Sequence, residues 1–83
     1  MGICTYCGST IQTQDDHVIA RTKGGVSTVP ACRACNQSKS DKPLMDWFRW
    51  LKNCDSYRWA RIVQYNYGKR TEIADKVRRV RDS

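Results

Sequence analysis

The spacing of apolar residues changes character at about residue 42. Before that point they come in short bursts. Val18-Ile19 and Val26–Val29 can each form a brief strand, and Lys23-Gly24-Gly25 supplies a flexible turn between them. Pro30 is expected to end or edge the second strand. A short helix follows around Arg33–Lys39. Beyond residue 42 the period becomes helical. Leu44, Trp47, Phe48 and Leu51 share one face of a helix running to about Asn53, with Pro43 in its first turn and Ser40 or Asp41 near its N-cap. A second helix is predicted from about Ser56 to Gly68, burying Trp59, Ile62, Val63 and Tyr67. A third starts near Thr71, with Ile73, Val77 and Val80 facing in and Lys76, Arg78, Arg79 and Arg81 facing out. The pattern predicts a small α+β fold: a loop-rich part with short strands over residues 1–41, then a helical half over 42–83, together one domain spanning 1–83.

Length and composition add a constraint. A chain of 83 residues buries a modest core and usually needs a staple, a partner or very good packing. Five cysteines, an odd number, argue against a disulfide framework. No N-terminal run resembles a signal peptide, and no stretch approaches the roughly 20 apolar residues of a membrane span. The expected setting is intracellular, in the cytoplasm, where paired C-x-x-C units read as zinc ligands. The formal net charge is +7. Residues 1–41 hold four Lys/Arg against three Asp, whereas 42–83 hold eleven against five acids. A basic half of this kind suits a polyanion such as DNA.

Cys4-Thr5-Tyr6-Cys7 and Cys32-Arg33-Ala34-Cys35 are identical C-x-x-C spacings. Each can place two thiolates at one corner of a tetrahedral zinc, so Cys4, Cys7, Cys32 and Cys35 are expected to form one closed structural site. Unpaired buried cysteines would not explain the repeated spacing, and neither pair opens a long helix after an apolar strand as a redox pair does. Cys54 is left over and reads as a small buried apolar residue on the first long helix.

Asp16 and His17, which includes the only histidine, lie between the two pairs, and Asn36 directly follows the last zinc cysteine. In a strand, Asp16 and His17 would project to opposite sides, so one can bind an ion while the other stands as a base. Asp and Asn supply hard oxygen ligands suited to Mg²⁺ or Mn²⁺. Lys39 would share a helix face with Asn36.

These residues resemble an HNH endonuclease of the ββα-metal type. The resemblance covers about residues 4–42 and rests on the first C-x-x-C, on Asp16-His17-Val18 with Gly24-Gly25 seven residues on, and on Pro30-Ala31-Cys32-Arg33-Ala34-Cys35-Asn36-Gln37-Ser38-Lys39. It implies that His17 is the general base, that Asp16 and Asn36 hold the catalytic Mg²⁺ or Mn²⁺, and that Lys39 touches phosphate. Three positions depart from the family pattern. Asn36 stands where His is commoner, Ala20 where Pro is frequent, and Ser27 where an Asn pins the loop between the strands. A hydroxyl of Ser27 or Thr28 could take over that last role.

The resemblance implies hydrolysis of a phosphodiester to 5′-phosphate and 3′-hydroxyl ends, with Lys39 or Arg21 offsetting charge on the phosphate. Arg21, Lys39, Lys42, Arg78, Arg79 and Arg81 are the candidate DNA contacts. Cations on the outer helix faces track a backbone without reading sequence. Of the aromatics in the basic half, Trp47, Trp59 and Tyr67 read as core. The helical half carries enough aromatic surface for a homodimer. The leading reading is a DNA endonuclease or nickase. The alternative is a non-catalytic zinc-knuckle module that binds nucleic acid, which would have no need of the Asp16, His17 and Asn36 set. A protein-interaction zinc domain is disfavoured by the charge.

Overall fold

The computed structural model describes residues 2–20 and 25–83, with the side chains at 17–20 and 25–27 excepted. The turn expected at Lys23-Gly24, the candidate contact Arg21, and the side chains of His17, Ala20 and Ser27 lie outside these described residues. The elements run β1 (Thr13–Ala20), β2 (Gly25–Cys32), α1 (Arg33–Lys39), α2 (Leu44–Cys54), α3 (Ser56–Asn66) and α4 (Glu72–Asp82). The result is a small α+β structure with one two-stranded sheet and four helices among the described residues.

Both strands reach eight residues, longer than the apolar bursts predicted. They pair antiparallel from Thr13↔Cys32 to Ala20↔Gly25. The polar stretch Thr13–Asp16 is extended because it is paired, not because it is apolar. Pro30 does not end β2. It sits opposite Asp15, and its carbonyl accepts from Thr5 N at 2.8 Å, on the side away from β1. At such a non-hydrogen-bonded position the backbone groups point outwards, so the missing N–H of proline costs no ladder bond.

The helices follow the expected periods closely. α2 begins at Leu44 with Pro43 at its N-cap, and neither Ser40 nor Asp41 caps it. Asp55 ends α2 and caps α3, accepting from Arg58 N at 3.2 Å. Thr71 caps α4 through Ala74 N at 3.1 Å. Lys52 of α2 donates to the carbonyls of Val80 (2.9 Å), Arg81 (3.2 Å) and Ser83 (3.0 Å), satisfying the open end of α4.

One hydrophobic cluster joins the two halves of the chain. Trp47, Phe48 and Leu51 of α2, Trp59 and Ile62 of α3, and Ile73, Val77 and Val80 of α4 pack with Tyr6 and the four cysteines of the N-terminal part. Tyr6 meets the Trp47 ring edge-on at 5.1 Å, and Phe48 lies 5.6 Å from Trp59. Two residues depart from the expected core. Cys54, expected to be buried, is exposed at the last turn of α2. Tyr67, expected on the buried face of α3, is 78% exposed. α3 stops at Asn66, Tyr67 is its extended C-cap with ψ 126°, and Gly68 then turns the chain with φ +78°. Asn66 takes the buried place, and its amide donates to Tyr6 O and Ile62 O, each at 2.9 Å.

Candidate active site

The first knuckle is a tight loop closed by Cys4 N to Ser9 O (2.7 Å) and Gly8 N to Cys4 O (3.0 Å). Gly8 has φ +81°, and the Tyr65 ring lies where a Cβ would stand, 2.5 Å from it, so only glycine fits. The second knuckle spans the end of β2 and the first turn of α1. In each, the backbone N–H of the second cysteine meets the sulfur of the first: Cys7 N to Cys4 Sγ at 3.5 Å and Cys35 N to Cys32 Sγ at 3.4 Å. Cys32 is therefore also the N-cap of α1.

All four sulfurs lie within 4.8 Å of one another and are buried. Thiolates about 2.3 Å from a tetrahedral zinc would stand roughly 3.8 Å apart. Cys7 Sγ and Cys32 Sγ are 3.7 Å apart, close to that separation, and the four together could bind zinc. The sulfurs also polarise one another. Hydrogen bonding from Cys35 holds Cys4 down at about 4, against the burial that raises it. Cys35, as the donor and under the same burial, is pushed far up. The Arg58 guanidinium of α3 donates to Cys35 Sγ at 3.2 Å. Burial would lower its pKa, but the hydrogen bond to Cys35 and the coulombic pull of Cys35, Cys32 and Cys7 raise it. A positive group in this place offsets the surplus negative charge of a four-thiolate site.

The same knuckles position a second set of side chains. α1 lies against β1, and two contacts cross between them. Gln14 Oε1 accepts from Asn36 Nδ2 at 2.9 Å, and Asp16 Oδ1 accepts from Lys39 Nζ at 3.3 Å. Gln14 and Asp16 are two apart on the strand, and Asn36 and Lys39 three apart on the helix, so each pair shares a face. Tyr6, fixed between Cys4 and Cys7, donates its hydroxyl to Asp16 Oδ2 at 2.6 Å. Burial first, and then the Asp16 carboxylate, push the Tyr6 phenol far above its usual pKa, so it is a firm donor. Asp16 is only 6% exposed.

The donor set fits a hard divalent ion such as Mg²⁺ or Mn²⁺. Asp16 retains lone pairs on both oxygens. The Asn36 carbonyl has no protein partner among the described residues, because Asn36 is held by its NH₂ group. Lys39, expected to reach a phosphate, is instead turned inwards, with its side chain 7% exposed against Asp16. Removing a charge from water is costly without a partner, and the carboxylate supplies one. His17 follows Asp16 in β1, with its backbone opposite Thr28. Of the other candidate contacts, Lys42 lies over the Trp50 ring at 5.2 Å. Arg78 pairs with Asp75, and Arg81 with Asp82.

Sequence reasoning missed Tyr6, Gln14 and Arg58. Tyr6 occupies a variable position of a C-x-x-C, and an aromatic there is the one local sign that the knuckle packs against something. Arg58 lies 23 residues from Cys35 and reaches it only through the docking of α3, which no local signal announces.

Three comparisons bear on this geometry. A family model described as HNH endonuclease matches residues 4–45, half of the chain, and includes all four cysteines and the Asp16, His17, Asn36 and Lys39 set. No curated protein and no solved structure matches the chain.

Proposed function

Because the chain belongs to the HNH endonuclease family, we propose that it is a metal-dependent DNA endonuclease or nickase. In this reading residues 1–41 are a zinc-stapled ββα-metal core and 42–83 a basic helical extension. The observation that supports it most is the pair of contacts Gln14–Asn36 and Asp16–Lys39, which bring the two oxygen ligands to facing surfaces beside the cysteine cluster. A knuckle that only bound nucleic acid would need neither.

Asp16 and Asn36 would hold Mg²⁺ or Mn²⁺. When bound, such an ion supplies Lewis-acid stabilisation of the scissile phosphate and the departing 3′ oxygen. The protein's own residues do the rest. Tyr6 and Lys39 orient the Asp16 carboxylate, and Gln14 orients the Asn36 amide so that its oxygen stays free. His17 is the general base. Its neutral imidazole, with an unperturbed pKa of about 6.5, takes a proton from the attacking water near pH 7. Products carry 5′-phosphate and 3′-hydroxyl ends. Zinc on the four cysteines is structural, since a closed thiolate set leaves no position for substrate. Arg21, Lys42, Arg78, Arg79 and Arg81 are the proposed backbone contacts. One site cuts one strand, so duplex cleavage needs a homodimer or two visits.

The test is to offer zinc-loaded protein supercoiled, nicked, linear and four-way-junction DNA with Mg²⁺ or Mn²⁺. Wild type should cut at least one form, and His17→Ala should lower turnover about 10²–10⁴-fold with binding unchanged. Equal cutting by His17→Ala removes His17 as base. No cutting of any form favours the non-catalytic binding module.

A further inference from the structure

A concavity outside the candidate active site lies where α3, the turn after it and α4 meet. It measures about 320 Å³ and is lined by Tyr67, Lys69, Arg70, Arg78 and Arg81. Val63 and Val77 form its apolar floor. Every residue in its wall lies beyond position 45, where the family match stops.

Three features of this groove point to one kind of ligand. First, all four ionisable side chains named in its wall, other than the tyrosine, are cationic. Arg78 and Arg81 are braced by Asp75 and Asp82, and Arg78 also donates to Lys69 O at 2.8 Å. Arg70 is exposed and has no partner among the described residues. Second, Tyr67 presents a ring that packs with nothing in the core and is 78% exposed at the rim. Tyr67 is the extended C-cap of α3, directly before the Gly68 turn. Third, the volume is at the small end of ligand pockets, which begin at about 300 Å³. It suits one nucleotide and not a folded partner. Flat aromatic faces beside cations are how proteins hold unstacked bases and the phosphates joining them. A paired duplex offers the phosphates but keeps its base faces stacked, so the ring adds little to duplex binding.

We propose that this groove is a second nucleic-acid site that seats one unpaired nucleotide, with its base on Tyr67 and its phosphates against Arg70 and Lys69. The site makes DNA with a single-stranded or splayed segment the favoured substrate of the nuclease proposed above, and it rests on that reading for its substrate. Grip on the unpaired strand lies in the helical half, away from the Asp16 and Asn36 ligands.

The experiment is equilibrium binding by fluorescence anisotropy of zinc-loaded protein, without Mg²⁺ or Mn²⁺. The probes are a fluorescein-labelled single-stranded oligonucleotide and a duplex of the same length. Tyr67→Ala should weaken single-strand binding roughly 5- to 150-fold, the measured range for one stacked base, and leave duplex binding within about twofold. Tyr67→Trp should retain single-strand affinity, and Arg70→Gln should weaken it. Because Tyr67 is exposed, these variants keep the fold, which thermal melts check. Unchanged single-strand binding in Tyr67→Ala, or equal losses on both probes, overturns the groove. Wild-type protein that binds single strands through Tyr67 but cuts no DNA overturns the nuclease reading alone and leaves the groove standing.

Discussion

The Asp16 carboxylate is the residue on which the first cysteine knuckle and the candidate ligands of β1 and α1 meet. It receives Tyr6 from the first knuckle and Lys39 from α1, and it is buried between them. Removing either donor tests how far its orientation matters. Tyr6→Phe should keep the fold and one zinc per chain, cost about 1–3 kcal/mol for the lost hydrogen bond to a carboxylate, and weaken Mn²⁺ binding. Electron paramagnetic resonance of free Mn²⁺ reads that affinity without turnover. An unchanged affinity would show that Tyr6 only fills the core. Lys39→Met should be harsher, roughly 3–5 kcal/mol in urea melts, because it leaves a buried carboxylate without its counter-charge. At this scale the sequence marked candidate residues but not their partners. Spacing marks Asp16, Asn36 and Lys39. It does not say that Lys39 faces inwards, because a lysine on a short helix reads as solvated until a carboxylate on a neighbouring strand is placed beneath it.

Among the elements, the helices were legible and the strands less so. A helix announces itself through its own 3.6-residue period, and α2, α3 and α4 lie within a few residues of where that period places them. The strands owe their length to each other and to the knuckle, which ties Arg33 N to Gln12 O at 3.0 Å at the foot of the ladder. The ends of the helices depend on single contacts that can be removed one at a time. Thr71→Ala takes away the cap of α4 and should cost about 1 kcal/mol. Lys52→Met removes the cation from the three carbonyls at the other end of α4 and should cost about 1–2 kcal/mol. Chemical denaturation reads both. A cost under a few tenths in each would mean that α4 is held by its apolar face alone.

For the molecule as a whole, metal and charge should dominate behaviour. Structural zinc in small peptides is worth roughly 10–16 kcal/mol, as much as the entire stability of a typical domain. Cys32→Ser should therefore abolish folded protein, because Cys32 is at once a ligand and the cap of α1. The exposed Cys54 should tolerate serine with little effect. Metal analysis of well-folded wild type that finds no zinc would refute the four-thiolate site. DNA affinity should fall with salt, log K losing about 0.9 per phosphate neutralised on duplex, and a flat response would remove the electrostatic reading of the +7 charge. No helix among the described residues is long and apolar enough to cross a membrane. The division into two halves seen in composition conceals a shared core, since Tyr6 packs on Trp47 and Phe48 and is tied to Asn66. Composition reports what each stretch contains and is blind to contacts between stretches.

The bond from Asn66 to the carbonyl of Tyr6 spans 60 residues of chain. A ribosome adding about 5–20 residues per second needs roughly 3–12 s to cover that distance. Once Lys39 has been added, the nascent chain holds all four paired cysteines and every candidate catalytic side chain, yet the floor beneath Tyr6 has not been synthesised. The growing polypeptide thus carries its candidate ligands before its scaffold is complete, and the knuckle is closed from behind only after α3 has emerged.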